Sequence, residues 1–213
     1  MMTDLDQLID ELADDAAPVT RQDGRIGRIV LAALALAGVG ALAALYGLRP
    51  DVLAMRAPIA IMLAIGLMIL LGAAAGGQAI RMARPQVGAP SSAAPWLVAA
   101  LGLFPLLALA ALAGDPAAAA GLDPETGQRC LGVGIACGAA SLAFLGLWLR
   151  RGAPVAPERA AWLAGLAAGA IGAAAVTMEC GHDEIVHLGL WHVAVVAALA
   201  LAGRAIVPRF IRW

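Results

Sequence analysis

Three cysteines and three histidines are the residues in this chain best suited to bind a soft or borderline metal, and all six fall between Cys130 and His192. Cys180, His182 and His187 share the stretch Met178-Glu179-Cys180-Gly181-His182-Asp183-Glu184-Ile185-Val186-His187, which adds three carboxylates and no cation. Thiolate with imidazole suits soft and borderline metals, and carboxylate widens the range. Asp183 and His187 are four apart and could share a helix face; Glu184 and His187 are three apart. Cys130, Cys180, His182, Asp183 and His187 are therefore the candidate metal ligands. No CxxC or HxxxH occurs, so a preformed structural zinc site is not expected. Three readings stay open for Cys130 and Cys180: a structural disulfide, a reactive or metal-binding sensor pair, or incidental thiols. The neighbouring carboxylates should raise the thiol pKa and attract cations.

Cys137 follows Cys130 by seven residues, about 10 Å deeper along a helix, and reads as a small packing residue. His192 follows His187 by five, about 140° around a regular helix. The histidines then share no chelating face, and His192 is a hydrogen-bonded packing residue or a relay from the outer site.

A second chemical element lies at the amino end. Leu5, Leu8, Ile9 and Leu12 recur at helical spacing and make one stripe, and Thr3 or Asp4 could cap its start. Asp4, Asp6, Asp10, Glu11, Asp14 and Asp15 cover the other face. A helix this short is marginal alone in water, so it must bury its stripe on something. Anionic lipid repels an acidic helix. A protein groove with a basic rim would accept Leu5, Leu8, Ile9 and Leu12 and face Asp10 and Glu11. The other reading folds the helix back on the chain's own basic loops.

These groups must be positioned by something other than a water-soluble domain. The 213 residues are 62% hydrophobic and only 14% charged, against about 25% charged in soluble domains. Six apolar stretches, 26–48, 58–80, 95–113, 131–149, 160–178 and 185–207, are each long enough to cross a bilayer as a helix. They lack the period-2 alternation of membrane strands. The fold class is all-α: a polytopic bundle of six transmembrane helices preceded by a cytoplasmic segment, residues 1–25, carrying the short amphipathic helix. That segment is acidic, unlike a signal peptide, and should be retained. Turn signals such as Arg84-Pro85-Gln86-Val87-Gly88 separate the spans. Pro105 should kink the third. The pairs Gly72/Gly76, Gly134/Gly138 and Gly165/Gly169 allow close helix approach, inside one bundle or, alternatively, across a homodimer.

Orientation follows from arginine. With the amino end inside, the inner face holds Arg21, Arg25, Arg28, Arg81, Arg84, Arg150, Arg151, Arg159, Arg204, Arg209 and Arg212, and the outer face only Arg49, Arg56 and Arg129. That bias puts both termini in the cytoplasm and Cys130 and Cys180 outside. Trp96, Trp148, Trp162 and Trp213 fit an inner interfacial belt, Tyr46 and Trp191 an outer one.

The Leu-Ile-Asp-Glu-Leu start, the segment Leu149-Arg150-Arg151-Gly152-Ala153-Pro154, and the ending with Cys180, Trp191-His192 and Arg209-Phe210-Ile211-Arg212-Trp213 resemble the NrsF-type anti-sigma factors, the negative-regulator-of-sigma-F family. The resemblance implies a bacterial inner-membrane protein that holds an extracytoplasmic-function sigma factor inactive through its N-terminal segment. It implies two outward cysteines, Cys130 and Cys180, that sense heavy-metal or oxidative stress. Cys137 falls outside the family pattern, and no family role carries over to His182 or His187. Implied partners are the sigma factor and membrane lipid, with no direct nucleic-acid contact. No resident cofactor is required; a heavy-metal ion would bind transiently at the cysteines.

The alternative is a small metal-ion transporter or efflux accessory protein. It would need ionisable residues at the bilayer midplane, and the span centres hold almost none. An intramembrane enzyme would need a nucleophile and a base at depth; Ser141 and Thr177 show no evident base partner.

Overall fold

The computed structural model describes residues 2–14, 22–85 and 93–211, with side chains from Leu5 onward in the first stretch. Asp15, Arg21, 86–88, Arg212, Trp213 and the side chains of Thr3 and Asp4 lie outside that description. The first helix begins at Met2, ahead of both expected caps. Among the described residues every regular element is helical. They run α1 (Met2–Asp14), α2 (Gly24–Leu45), α3 (Pro50–Leu53), α4 (Ile59–Met82), α5 (Ala94–Leu101), α6 (Leu103–Gly114), a 3-10 turn (Pro116–Leu122), α7 (Pro124–Arg150), α8 (Pro157–Thr177), α9 (Ile185–His187), a π turn (Leu188–His192), α10 (Val193–Ile206) and α11 (Pro208–Ile211).

Six helical stretches are long and apolar enough to cross a membrane: α2, α4, α5 with α6, α7, α8, and residues 185–211. They match the six expected spans to within a few residues at most ends. The exception is α7, which starts at Pro124 rather than near 131 because Asp123 accepts a hydrogen bond from Thr126 N at 2.9 Å and Pro124 opens the first turn. The third span is divided at Gly102. Pro105 has no N–H to give the Leu101 carbonyl four residues back, so the ladder breaks there.

Helix α8 is the centre of the bundle, enclosed by α4, α7 and α10; 89% of its apolar window is buried, against 11% for α2. Its alanines and glycines are what such enclosure requires. Helix backbones surround it closely: a side chain at Gly165 would strike the backbone of Leu199 and Ala200, one at Gly169 that of Val196, and one at Gly172 that of Gly134. Gly72 and Gly76 meet Ile171 and Ala167, and Gly134 and Gly138 meet Val195 and Ala168. All three glycine pairs therefore pack within the chain.

The two ends of the bundle are tied differently. At the end where α2 begins, Gln22 Nε2 donates to Trp148 O at 3.2 Å, Trp148 Nε1 to Ile80 O at 3.3 Å, and Ala153 N to Ala83 O at 2.8 Å. At the opposite end, where α2 finishes, Arg49 N donates to Met178 O at 3.0 Å. That second end carries the thiols.

Candidate functional site

Cys130 sits in the second turn of α7, Cys180 just beyond α8, His187 at the end of α9, and His192 at the end of the π turn. Their ligating atoms all lie within 4.8 Å of one another. The Cys130 thiol donates to Cys180 Sγ at 3.3 Å, and His187 Nε2 is 3.5 Å from Cys180 Sγ. All four residues are at most 3% exposed.

His192 joins the cluster against the helical-wheel expectation. The wheel assumes 3.6 residues per turn, but Leu188–His192 is a π turn, bonded i to i+5. The wider turn brings residues five apart closer to one face, and the His187 and His192 rings meet edge to face at 5.2 Å. His187 and His192 thus share one donor group with the two thiols, without His182. The four donors come from separate elements brought together by the bundle and form no local sequence motif.

His182 and Asp183 are placed differently. The helix starts at Ile185, so Asp183 and His187 share no helical face. Asp183 Oδ1 accepts from Arg49 Nη2 at 2.7 Å. His182 stacks on His187 at 4.8 Å and pairs with Glu184 at 3.3 Å, half exposed. Neither belongs to the buried donor group.

The loop that lacks a cation in its own sequence receives two from elsewhere. Arg49, only 8% exposed, bonds Asp51 through both Nε and Nη2, Asp183 through Nη2 and the Cys180 carbonyl through Nη1. This fork holds the Asp51 carboxyl below the usual carboxylate range. Arg129 pairs with Glu179 at 2.6 Å and lies over the Tyr46 ring at 4.9 Å. Each member of that pair immediately precedes a cysteine, so the ion pair sets the register in which the sulfurs meet. The hydrogen bond from Cys130, with His187 and His192 beside it, holds the Cys180 thiol below its ordinary value against the opposing effect of burial.

Thr177 has the imidazole partner that sequence reading denied it. Its Oγ1 is 2.9 Å from His192 Nδ1 and donates to Ala173 O at 2.7 Å. Trp191, partly exposed, packs over Gly127 in the first turn of α7, at the end of the bundle that holds Cys130 and Cys180. Arg49, Arg129 and Thr177 are the positions around the site that sequence reasoning missed, and His192, buried and in contact with Thr177, stands closer to the thiols than the wheel implied. Cys137 lies apart, half-buried, near Gly38 of α2.

At the other extremity, α1 leaves its stripe open. Leu5, Leu8, Ile9 and Leu12 are 62%, 51%, 54% and 64% exposed, so the helix is not folded back on the chain's own loops. Asp6, Asp10, Glu11 and Asp14 are exposed as well.

A family model described as NrsF, negative regulator of sigma F, matches residues 12–213. No curated protein and no solved structure matches the chain.

Proposed function

Since the chain belongs to the NrsF family of negative regulators of sigma F, whose partner is a sigma factor, we propose that it is a membrane-bound anti-sigma factor that holds an extracytoplasmic-function sigma factor on α1 and releases it when a periplasmic metal ion or oxidant acts on Cys130 and Cys180. The carrying observation is the exposed stripe of Leu5, Leu8, Ile9 and Leu12 beside four exposed acids. An apolar stripe left open in water is a binding face for a groove. Asp10 and Glu11 would meet basic residues that otherwise face DNA or polymerase. The membrane is the bacterial inner membrane, with both termini in the cytoplasm. Arg25, Arg28, Arg81, Arg84, Arg150, Arg151, Arg159, Arg204 and Arg209 at one end support that sidedness.

Helix α2 is the connection between the two elements. It is the least buried span, it follows α1 in the chain, and just beyond its far end stands Arg49, whose side chain grips the Cys180 loop. A change at the sulfurs that shifts this loop would move Arg49 and α2 with it. Displacements of about 1–2 Å suffice in helix-shift switches, provided the signal favours one of two arrangements.

The transporter reading finds less support. Among the described buried polar side chains, Arg49, Thr177, His187 and His192 gather at one end and Gln78 lies toward the other, leaving Ser141 between. The family is also not an enzyme class, and Thr177 spends its hydroxyl proton on a backbone carbonyl.

The test is affinity purification of the full chain, in mild detergent, from its own cytosol and membranes. Wild type should enrich one sigma factor, and removal of residues 2–14 should abolish that enrichment. Sigma retained by the truncated protein would refute the tail assignment.

A further inference from the structure

We propose that His187 and His192 complete the thiol pair into a four-donor tetrahedral site for one borderline-soft divalent cation of the zinc and cadmium class, with Thr177 as the positioning residue that aims His192. This rests on the thiol pair being the sensing element and specifies what that element takes.

The aim of His192 follows from proton counting. Thr177 owns one hydroxyl proton, and it goes to Ala173 O at 2.7 Å. With the proton on that bond, the shortest of the Thr177 contacts, the imidazole nitrogen 2.9 Å away, His192 Nδ1, is assigned as the donor of the pair. That leaves Nε2 with its lone pair. Nε2 is fully enclosed, in a residue 1% exposed, and no protein group bonds it. A buried acceptor without a partner is costly. A histidine fixed through one nitrogen while the other faces two sulfurs has the arrangement of a metal ligand with its supporting hydrogen bond.

Size and charge agree. A tetrahedral zinc ion, with sulfur at about 2.3 Å and nitrogen at about 2.0–2.1 Å, sets its sulfurs about 3.8 Å apart and sulfur from nitrogen about 3.5 Å. The sulfurs here are 3.3 Å apart and Cys180 Sγ is 3.5 Å from His187 Nε2, within a donor group that spans up to 4.8 Å, so entry needs the sulfurs to part by about half an ångström and the widest donor pair to close by about 1 Å. On binding, the two thiol protons pass to water, and two thiolates with two neutral imidazoles balance a divalent charge. A site at most 3% exposed tolerates only such neutrality. A hard cation would require carboxylates, and the carboxylates of Asp183 and Glu179 are held by Arg49 and Arg129.

The probe is cobalt(II) added to the reduced, full-length protein in detergent, followed by zinc displacement. Wild type should bind one equivalent with the intense visible bands of a tetrahedral thiolate site. His187→Gln and His192→Gln should each weaken binding at least ten-fold. Thr177→Val should weaken it about ten-fold, and Thr177→Ser should restore it, which a mere packing role would not produce. X-ray absorption of the zinc-loaded wild type gives a reading that needs no variant: two sulfur and two nitrogen neighbours. Two sulfurs with oxygens, or cobalt affinity unchanged in both histidine variants, would overturn the four-donor site while leaving the thiol sensor standing. Cobalt binding that survives Cys130→Ser and Cys180→Ser would remove both.

Discussion

Arg49 Nη1 donates to the Cys180 carbonyl oxygen at 2.9 Å, joining residues 131 positions apart in the chain. The bond fastens the segment that joins α2 to α3 to the loop that carries one of the two sulfurs. The rest of the guanidinium is taken by Asp51 and Asp183, so Arg49 is a fixed strut with little freedom to swing.

Replacing Arg49 with alanine should free that loop. Charge-assisted hydrogen bonds are each worth about 1.5–3 kcal/mol, less where the carboxylates are partly exposed. Even about 1.4 kcal/mol is ten-fold in an opening equilibrium. Maleimide alkylation of Cys180 in detergent should therefore quicken at least ten-fold. Arg49→Lys keeps the charge but not the fork and should fall between. An unchanged alkylation rate in Arg49→Ala would deny the strut.

The sulfur contact makes a second expectation. Diamide should link Cys130 to Cys180 within one chain: the sulfurs bond, and their two hydrogens reduce the diamide to its hydrazine. Cys137→Ser should oxidise like wild type, because Cys137 lies away from the pair near Gly38. Mass spectrometry of a digest reads the linkage. A Cys137 cross-link forming as fast as the native pair would contradict the geometry.

The cap of α7 is pH-dependent in a definite sense. The Thr126 side chain, and the Thr126 N–H, hold the Asp123 carboxyl below its ordinary value. A depressed carboxyl stabilises the fold above its unfolded pKa, about 3.9, and loses that contribution as pH falls through the folded value. Asp123→Ala should lower the thermal midpoint in detergent at pH 7, because it removes the side-chain cap of α7. Asp123→Asn still caps but cannot titrate, so its acid sensitivity should be smaller. Equal acid sensitivity in wild type and Asp123→Asn would sink the assignment.

On the tail, Leu8→Asp and Leu12→Asp should each weaken sigma retention about ten-fold or more, since burying one leucine contributes about 1.5–3 kcal/mol. Neutralising Asp10 and Glu11 together should act mainly by slowing association and by removing its salt dependence. Retention measured at two ionic strengths separates these effects, and a salt response surviving Asp10→Asn with Glu11→Gln would exclude the acids.

The six spans were legible because hydropathy over about 20 residues is a strong signal, and the glycine pairs because small residues at i, i+4 have few uses other than close packing. The leucine stripe was legible for the same periodic reason. The thiol site was only half visible. Cys130, Cys180 and His187 could be named by residue type, but His192 depended on a feature no wheel or spacing rule carries. The π turn realigns His192 with His187. Thr177 looked like an isolated hydroxyl until α8 ended beside the π turn. Asp183 looked like a ligand because its true partner, Arg49, comes from a loop far away in sequence. Tertiary pairing of distant charges decided which polar groups were left for the site.

The coupling of the two ends is tested most directly in sealed right-side-out vesicles that carry the full chain with its sigma factor bound inside. A membrane-impermeant thiol reagent or zinc is added outside, and the sigma remaining on the membrane is measured. Wild type should release it, and the chain with Cys130→Ser and Cys180→Ser should not. Equal release from both, or continued retention by a wild type whose thiols have demonstrably reacted, would contradict a sensor on one side governing a grip on the other.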